Sequence, residues 1–479
     1  MDETQQSIID KISQGKNVFF TGPAGVGKSF VIAEAVKFLK TKYGDDFDKK
    51  VRITAMTAIA ASSIKGTTLH TALGLGVPNF TSDVGNRLAQ KKVPGKGSIK
   101  DLEVLLLDEC SMMSGELFYL IHRDLKLLLG RDIQYIFCGD FYQLSPIMTK
   151  RRPDGKDHPP GTFMNYGLAF ETPSWKECFA VEDCVILKHV YRQEDEVFVE
   201  LLNRIRTGNG AMEAMQELVE NKQEVSGEMI QRRSANDNEE IKSTLIFSRN
   251  KDIDLMNETE LNKLASRKVV FASKDSHLID PAIEANAVAR ESCKAMLKNS
   301  DFFKSCQAPL VLSLKIGAQV MLVKNPLDSS DLCNGSRGVV IGFKYDESGM
   351  QVPEVRFLNG HVRLIKPASF DCDIPGIGKC TRVQIPLKLA WAITIHKSQG
   401  MTLDLVDLSL DGVFASGQAY VGLSRARTRP GLTVVDWDGS IVDVDERVKV
   451  FYEALEREEN VPESKGFKAF AEKRGWIDS

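Results

Sequence analysis

No apolar run in this chain approaches the roughly 18 residues a membrane span needs, so a membrane-embedded helix is not expected. The nine cysteines are scattered, and none forms a C-x-x-C pair. That argues against a zinc ribbon, a thioredoxin-type redox site and a disulfide framework. They read as reduced, mostly buried thiols. Strong charge of one sign is missing too, with a net charge of −3 over 479 residues. A passive, charge-driven nucleic-acid binder is therefore disfavoured, whereas a narrow groove with local positive potential stays compatible. Met1 to Ile12 is acidic and lacks arginine. It therefore reads as neither a signal nor a transit peptide, and the expected location is intracellular, cytoplasmic or nuclear. No histidine triad and no extra acid cluster of metal spacing suggests a nuclease or relaxase.

What is present starts with a glycine-rich octet, Gly22-Pro23-Ala24-Gly25-Val26-Gly27-Lys28-Ser29. It follows an apolar run, Asn17 to Phe20, and opens an amphipathic stretch, Ser29 to Lys40. Strand, glycine loop, lysine, hydroxyl and helix together are the context of a phosphate-binding loop. Glycines let backbone N–H groups close around phosphate oxygens. Lys28 would reach the β- and γ-phosphates of ATP, and Ser29 would offer its hydroxyl to Mg²⁺. About 80 residues on, Leu105-Leu106-Leu107 runs into Asp108-Glu109. Asp108 would hold Mg²⁺ and Glu109 would activate water. A third strand end carries Gly139-Asp140-Phe141-Tyr142-Gln143. The Gln143 amide, donor at one end and acceptor at the other, suits a γ-phosphate sensor. Asp140 reads as supporting or structural. Arg192, in V-Y-R-Q, and Arg425, in G-L-S-R-A-R-T, are candidates to neutralise the transferring phosphoryl group.

Strand-like and helical patterns alternate through the first 180 residues, which predicts a parallel α/β sheet. A first lobe is expected over 1–180, with an irregular insertion at about 74–100. A second α/β region is expected over 181–265 and 386–440, opening near Cys184 to Leu187. Between its parts, 266–385 reads as an inserted module of short β-runs. A charged helical tail is expected over 441–479.

These motifs, in this order, resemble superfamily-one helicases, most closely the Pif-type (petite integration frequency) branch related to RecD and Dda. Further residues carry the likeness: Thr54 to Ala61, Gly66 to Thr71, the looser helix Ser111 to Lys126 with its departures at His122 and Asp124, Ala390 to Asp404, and Ala419 to Thr428. Asn334 to Val340 resembles the family's SH3-like small barrel. The resemblance implies an α/β protein of two RecA-like P-loop NTPase lobes, with the SH3-like β module inserted in the second. It implies an adenine-reading Gln5, with Gln6 as the alternative, and Gln399 and Gly400 near the γ-phosphate. DNA contacts are implied at Thr57, His70, Thr394, His396 and Ser398. The function implied is an ATP-dependent 5′-to-3′ DNA helicase in replication, repair, recombination or telomere maintenance. Remodelling of G-quadruplexes belongs to the family's repertoire. The resemblance implies single-stranded DNA and single/double-strand junctions as partners, single-strand-binding or replication proteins as companions, and no membrane. A monomer is expected, because both arginines come from one chain.

Trp391, on the same helical pattern as the Ala390 to Asp404 motif, reads as core rather than stacker, given its apolar neighbours. Phe141 and Tyr142 fit either base stacking or internal packing. Pro78 and Phe80 are candidates for a duplex-splitting wedge, while Lys91-Lys92 and Arg151-Arg152 read as solvated charge. Competing functions are a nucleotide-gated clamp or translocase that does not unwind, and a helicase acting on RNA. Lys28→Ala should abolish ATP turnover and leave DNA binding largely intact, as phosphate-release and DNA-binding assays would read; undiminished turnover would remove the phosphate-loop assignment.

Overall fold

The computed structural model describes residues 1–76, 78–89, 99–149, 158–220, 244–248, 253–279, 287–298, 302–303, 306–324, 332, 335–358, 360–374, 378–399, 401–403, 405–413, 415, 417–440 and 444–477. The first lobe is built on β1 (Val18–Thr21), β2 (Val51–Ala55), β3 (Thr67–Thr68), β4 (Val104–Asp108), β5 (Gln134–Cys138) and β6 (Cys184–Ile186). They form one six-stranded sheet in the order β3-β2-β4-β5-β1-β6. All its pairings are parallel. Every residue of β1, β4 and β5 is buried, the near-continuous apolar signature of strands covered on both faces.

Among the described residues, ten strands outside both parallel sheets follow β7 (Thr244–Phe247). They are β8 (Val269–Ala272), β9 (Lys274–Ile279), β10 (Val311–Leu314), β11 (Gln319–Leu322), β12 (Arg337–Tyr345), β13 (Gln351–Phe357), β14 (Val362–Leu364), β15 (Ala368–Ile374), β16 (Gly378–Gln384) and β17 (Leu387–Leu389). Their pairings are antiparallel, and the largest group is a five-stranded sheet, β14-β13-β12-β11-β17. β18 (Ala392–Thr394), β19 (Val406–Ser409) and β20 (Leu432–Asp436) then join β7 in a second parallel sheet, ordered β18-β7-β19-β20. The protein is thus two parallel α/β lobes with an antiparallel module inserted in the second.

Four expectations change. The strand at Cys184 does not open the second lobe: β6 pairs with β1 and forms an edge of the first sheet. Strand periodicity reports burial, not which sheet a strand joins. Trp391 is buried as expected, but it lies between two strands, with its backbone N–H donating to Asn257 Oδ1 (3.1 Å), and not on a helix. The insertion at 74–100 is not wholly irregular, because Thr81–Leu88 is a helix closed onto Asp83. Lys91, Lys92, Arg151 and Arg152 lie outside the described residues.

The tail differs most. Helices Glu446–Glu456 and Lys465–Lys473 pack on the first lobe and complete its core. Phe451 is fully buried, stacked on Phe170 (4.2 Å between centroids, 16°) and edge-on to Phe141 (5.4 Å). Tyr142 stacks on Tyr452 at 4.5 Å. Phe141 and Tyr142 are therefore internal packing, not base stackers. In the looser helix, now Gly115–Leu129, His122 sits in the core between Tyr135 and Glu177. Phe451→Ala should destabilise the protein by about 3–5 kcal/mol, whereas Val450→Ala, at a half-exposed neighbour, should stay within about 0.5 kcal/mol; chemical denaturation of the full chain distinguishes a core helix from a dispensable tail.

Candidate functional site: a cleft between the two lobes

The first lobe shapes the floor of the cleft. β1 ends at Thr21, and the helix Lys28–Tyr43 begins directly after the turn. Gly25 and Gly27 hold the turn with φ of +88° and +83°, the left-handed region that disfavours side chains. A Cβ on Gly25 would lie 2.6 Å from Arg192 Cβ, and one on Gly27 would lie 2.9 Å from Gln5 Nε2. The glycines therefore let two other segments touch the loop. The Lys28 ammonium donates to the carbonyls of Gly22 (2.7 Å) and Pro23 (2.9 Å). Ser29 is exposed in the first turn of the helix.

β4 delivers the acids. Asp108 accepts the Glu109 N–H (2.8 Å), and Glu109 itself is left-handed, at φ +53° and ψ +40°. A bulky residue there is an outlier, of the kind that active sites retain. Burial raises the Asp108 carboxyl. Burial and the neighbouring Asp108 charge push Glu109 up to about 7, while Lys28 and Arg425 pull it back down. A carboxylate in that range suits proton transfer near neutral pH.

The second lobe supplies Arg425 from the end of the helix Gln418–Leu423. Its guanidinium is buried and held by the carbonyls of Val421 (2.7 Å) and Met401 (3.3 Å) and by Ser424 Oγ (2.8 Å). Arg192 lies on the connection between lobes and donates to Ser424 O (3.2 Å). Among the described residues, these hydrogen bonds go only to neutral oxygens. Burial pushes Arg425 down to about 9, with Arg192 adding repulsion, and burial lowers Arg192 as well. Neither arginine makes a salt bridge among the described residues, although the Glu109 charge favours both, and two largely desolvated cations are groups that an anion can pair with.

These groups share one cleft of about 560 Å³, lined by Lys28, Ser29, Glu109, Gln143, Arg192 and Arg425 among others. Tyr191, Glu194, Thr402 and Arg427 also line it, and the sequence reading missed them. Tyr191, Thr402 and Arg427 stand beside or within quoted motifs, so adjacency was the available signal. Gln5 is buried beside the loop, its Oε1 accepting the Asp2 N–H (3.2 Å). The alternative, Gln6, points elsewhere and pairs with Asp10 (2.8 Å). A cavity of about 340 Å³ is lined by Asp2, Thr4, Val26 and His189 among others; Gln5 is not part of its lining. Gln399 is buried with both amide atoms unpaired among the described residues, an open valence for a ligand. Gly400 lies outside the described residues.

The DNA candidates divide. Thr57 and His70 are half-buried; Thr57 Oγ1 caps the short helix after it, accepting the Ala60 N–H (3.2 Å). Burial pushes the His70 imidazole down, towards its neutral form. Thr394 and Ser398 are buried, and the Ser398 hydroxyl donates to Ile395 O (2.7 Å), so in this conformation neither presents a surface to a strand. The His396 side chain lies outside the description. Of the wedge candidates, Phe80 is exposed and Pro78 is buried.

Two family models match this chain: PIF1-like helicase over residues 1–216 and DNA helicase Pif1, 2B domain, over residues 301–343. The crystal structure of Pif1 helicase from Candida albicans superimposes with a TM-score of 0.70 at 30% identity, covering 95% of this chain and 99% of that one. The chain belongs to the PIF1-like helicase family. The zebrafish (Danio rerio) ATP-dependent DNA helicase PIF1 is 36% identical over 96% of this chain, which spans 64% of that relative's length. A Bacteroides Pif1 bound to single-stranded DNA has a TM-score of 0.52 at 25% identity, covering 98% of this chain and 96% of that one. Within the family frame, the antiparallel module carries the segment matched by the 2B domain. No helix among the described residues is long and apolar enough to cross a membrane.

Gly25→Ala tests the close approach of loop and Arg192. The added methyl should strain the loop by roughly 1–3 kcal/mol, and calorimetric titration should show nucleotide affinity weakened about tenfold or more.

Proposed function

We propose that this chain is an ATP-dependent DNA helicase that moves 5′ to 3′ along single-stranded DNA and opens duplex ahead of it. One observation carries the reading. The phosphate loop, Glu109 and Gln143 of one lobe face Arg425 of the other across a single cleft. Hydrolysis in such a cleft depends on lobe closure, and that dependence turns a nucleotide cycle into motion.

The division of labour follows from the geometry. Loop N–H groups and the helix dipole hold the β- and γ-phosphates, and Lys28 leaves its loop carbonyls to pair with them. Ser29 and Asp108 would hold Mg²⁺, which when bound neutralises phosphate charge. Glu109 accepts the proton of the attacking water, and its raised pKa keeps that transfer near-balanced. Gln143 orients the water or senses the γ-phosphate. Arg192 and Arg425 stabilise the charge that spreads over the transferring group. Gln5 reads the base from beside the loop, next to Gly27, and Gln399 turns its amide to the nucleotide.

Thr57, His70 and His396 are the retained candidates for DNA contact, with Thr394 and Ser398 reaching DNA only after rearrangement. The name of the zebrafish relative and the single strand bound to the Bacteroides relative support ATP and DNA as the ligands. Polarity is carried over from the family resemblance. Both arginines come from the same chain, which supports a monomeric motor.

Two partial duplexes, one with a 5′ tail and one with a 3′ tail, test the reading with ATP and Mg²⁺. Unwinding should occur on the 5′-tailed substrate only and vanish in Glu109→Gln. Unwinding from the 3′ tail would reverse the polarity. DNA-stimulated hydrolysis without strand separation would instead make the chain a translocase or clamp.

A further inference from the structure

Behind the cleft lies a buried polar node that none of the roles above uses. Its centre is Asp140, fully buried after β5. Arg206 grips it with two bonds, Nε to Oδ2 (2.9 Å) and Nη2 to Oδ1 (2.8 Å). Arg206 belongs to the helix Glu196–Thr207, whose Phe198, Leu201, Leu202 and Ile205 sit in the second lobe's core. The pair therefore ties one lobe to the other. A third element joins from the C-terminal helix, where the Tyr452 hydroxyl donates to Asp140 Oδ1 (3.1 Å). Arg206 lies over the rings of Tyr142 (4.6 Å) and Tyr452 (5.5 Å), which shield the pair.

Donor arithmetic gives the node a direction. An ionised carboxylate only accepts, so the Tyr452 proton is committed to Asp140. The 2.6 Å contact between Tyr452 and Thr21 Oγ1 must then have Thr21 as donor. Thr21 is the last residue before the phosphate loop. By the same rule the Gln143 amide turns its nitrogen to Asp140 Oδ2 (3.0 Å), which leaves its carbonyl end for the cleft. Gly417 of the second lobe presses on the same turn: a Cβ there would lie 2.3 Å from Tyr142 O and 2.5 Å from Gln143 O. A bidentate buried pair is costly to separate, so lobe motion must carry it as a pivot and not slide across it.

We propose that Arg206 and Tyr452 are positioning residues for the reaction: through Asp140 they fix the orientation of the Gln143 amide and tie it to lobe closure. The inference rests on the proposed ATPase, and its test separates the two. If wild-type protein fails to hydrolyse ATP with single-stranded DNA, it is the ATPase reading that fails.

With wild-type turnover established, Tyr452→Phe removes one hydroxyl and no charge. Its DNA-stimulated kcat, corrected for folded fraction, should fall roughly tenfold, the scale of one hydrogen bond to a charged group, with the KM for ATP unchanged. The same substitution placed in Gln143→Ala should cause no further fall, because the two act as one unit. The pair Asp140→Asn and Arg206→Gln, which leaves no lone buried charge, should behave likewise and should also abolish the ATP-induced change in fluorescence transfer between dyes on the two lobes. An unchanged kcat in Tyr452→Phe, or an equal fall with and without Gln143, would overturn the proposal.

Discussion

The ion pair between Asp140 and Arg206 is a buried charged contact that joins the two lobes behind the cleft. Burial alone would raise the Asp140 carboxyl, but Arg206 and the Gln143 amide hold it below its ordinary value. Arg206 is raised in turn by the same carboxylate, against the opposing effect of its own burial. Taking two charges out of water is expensive, and the cost is offset only when the remaining lone pairs are satisfied. Here they are: Arg206, Gln143, Tyr452 and the Tyr142 N–H all donate to the one carboxylate. A pair so completed fixes distance and angle together. The two halves of the cleft thereby share a fixed point about which they can close.

The cleft itself shows the opposite economy. Arg425 is buried and Arg192 half-buried, both with neutral oxygens as their hydrogen-bond partners among the described residues, and Glu109 sits in a left-handed conformation with its pKa pushed up to about 7. A desolvated cation and a left-handed residue with a side chain each cost folding free energy. Their concentration in one place is what a polyphosphate with a developing negative charge would relieve. The node behind the cleft is satisfied and stiff, and the cleft in front of it is unsatisfied and ready for a ligand.

The last helices change the picture of the first lobe. Its core is closed by Phe451 and Phe467, residues far from β1 to β5 in sequence. Tyr452 adds a hydroxyl against Thr21, directly before the phosphate loop. The chain leaves the first lobe at β6, builds the second lobe and the antiparallel module, and returns to finish the first. The first lobe's fold therefore depends on the end of the chain, and its nucleotide loop is braced by it.

The octet Gly22 to Ser29, the acids after β4 and the glutamine after β5 were legible in the sequence because each is a local pattern. Glycine spacing, an apolar strand and a polar residue at its end lie within a few positions of one another. The alternation of strands and helices in the first lobe was legible for the same reason, as runs of apolar residues between turns. Assignments that depend on distant partners were not. β6 looks like any strand until β1 is seen beside it; Ser398 looks like a free hydroxyl until its helix is seen packed; Arg206 and Tyr452 carry no motif at all. Amino-acid sequence alone determined which chemistry this chain carries, because that chemistry is written in short stretches of backbone and side chain. Only the tertiary structure decided which lobe each strand joins, which arginine meets which acid and what braces the cleft, because those depend on burial and contact between segments hundreds of residues apart.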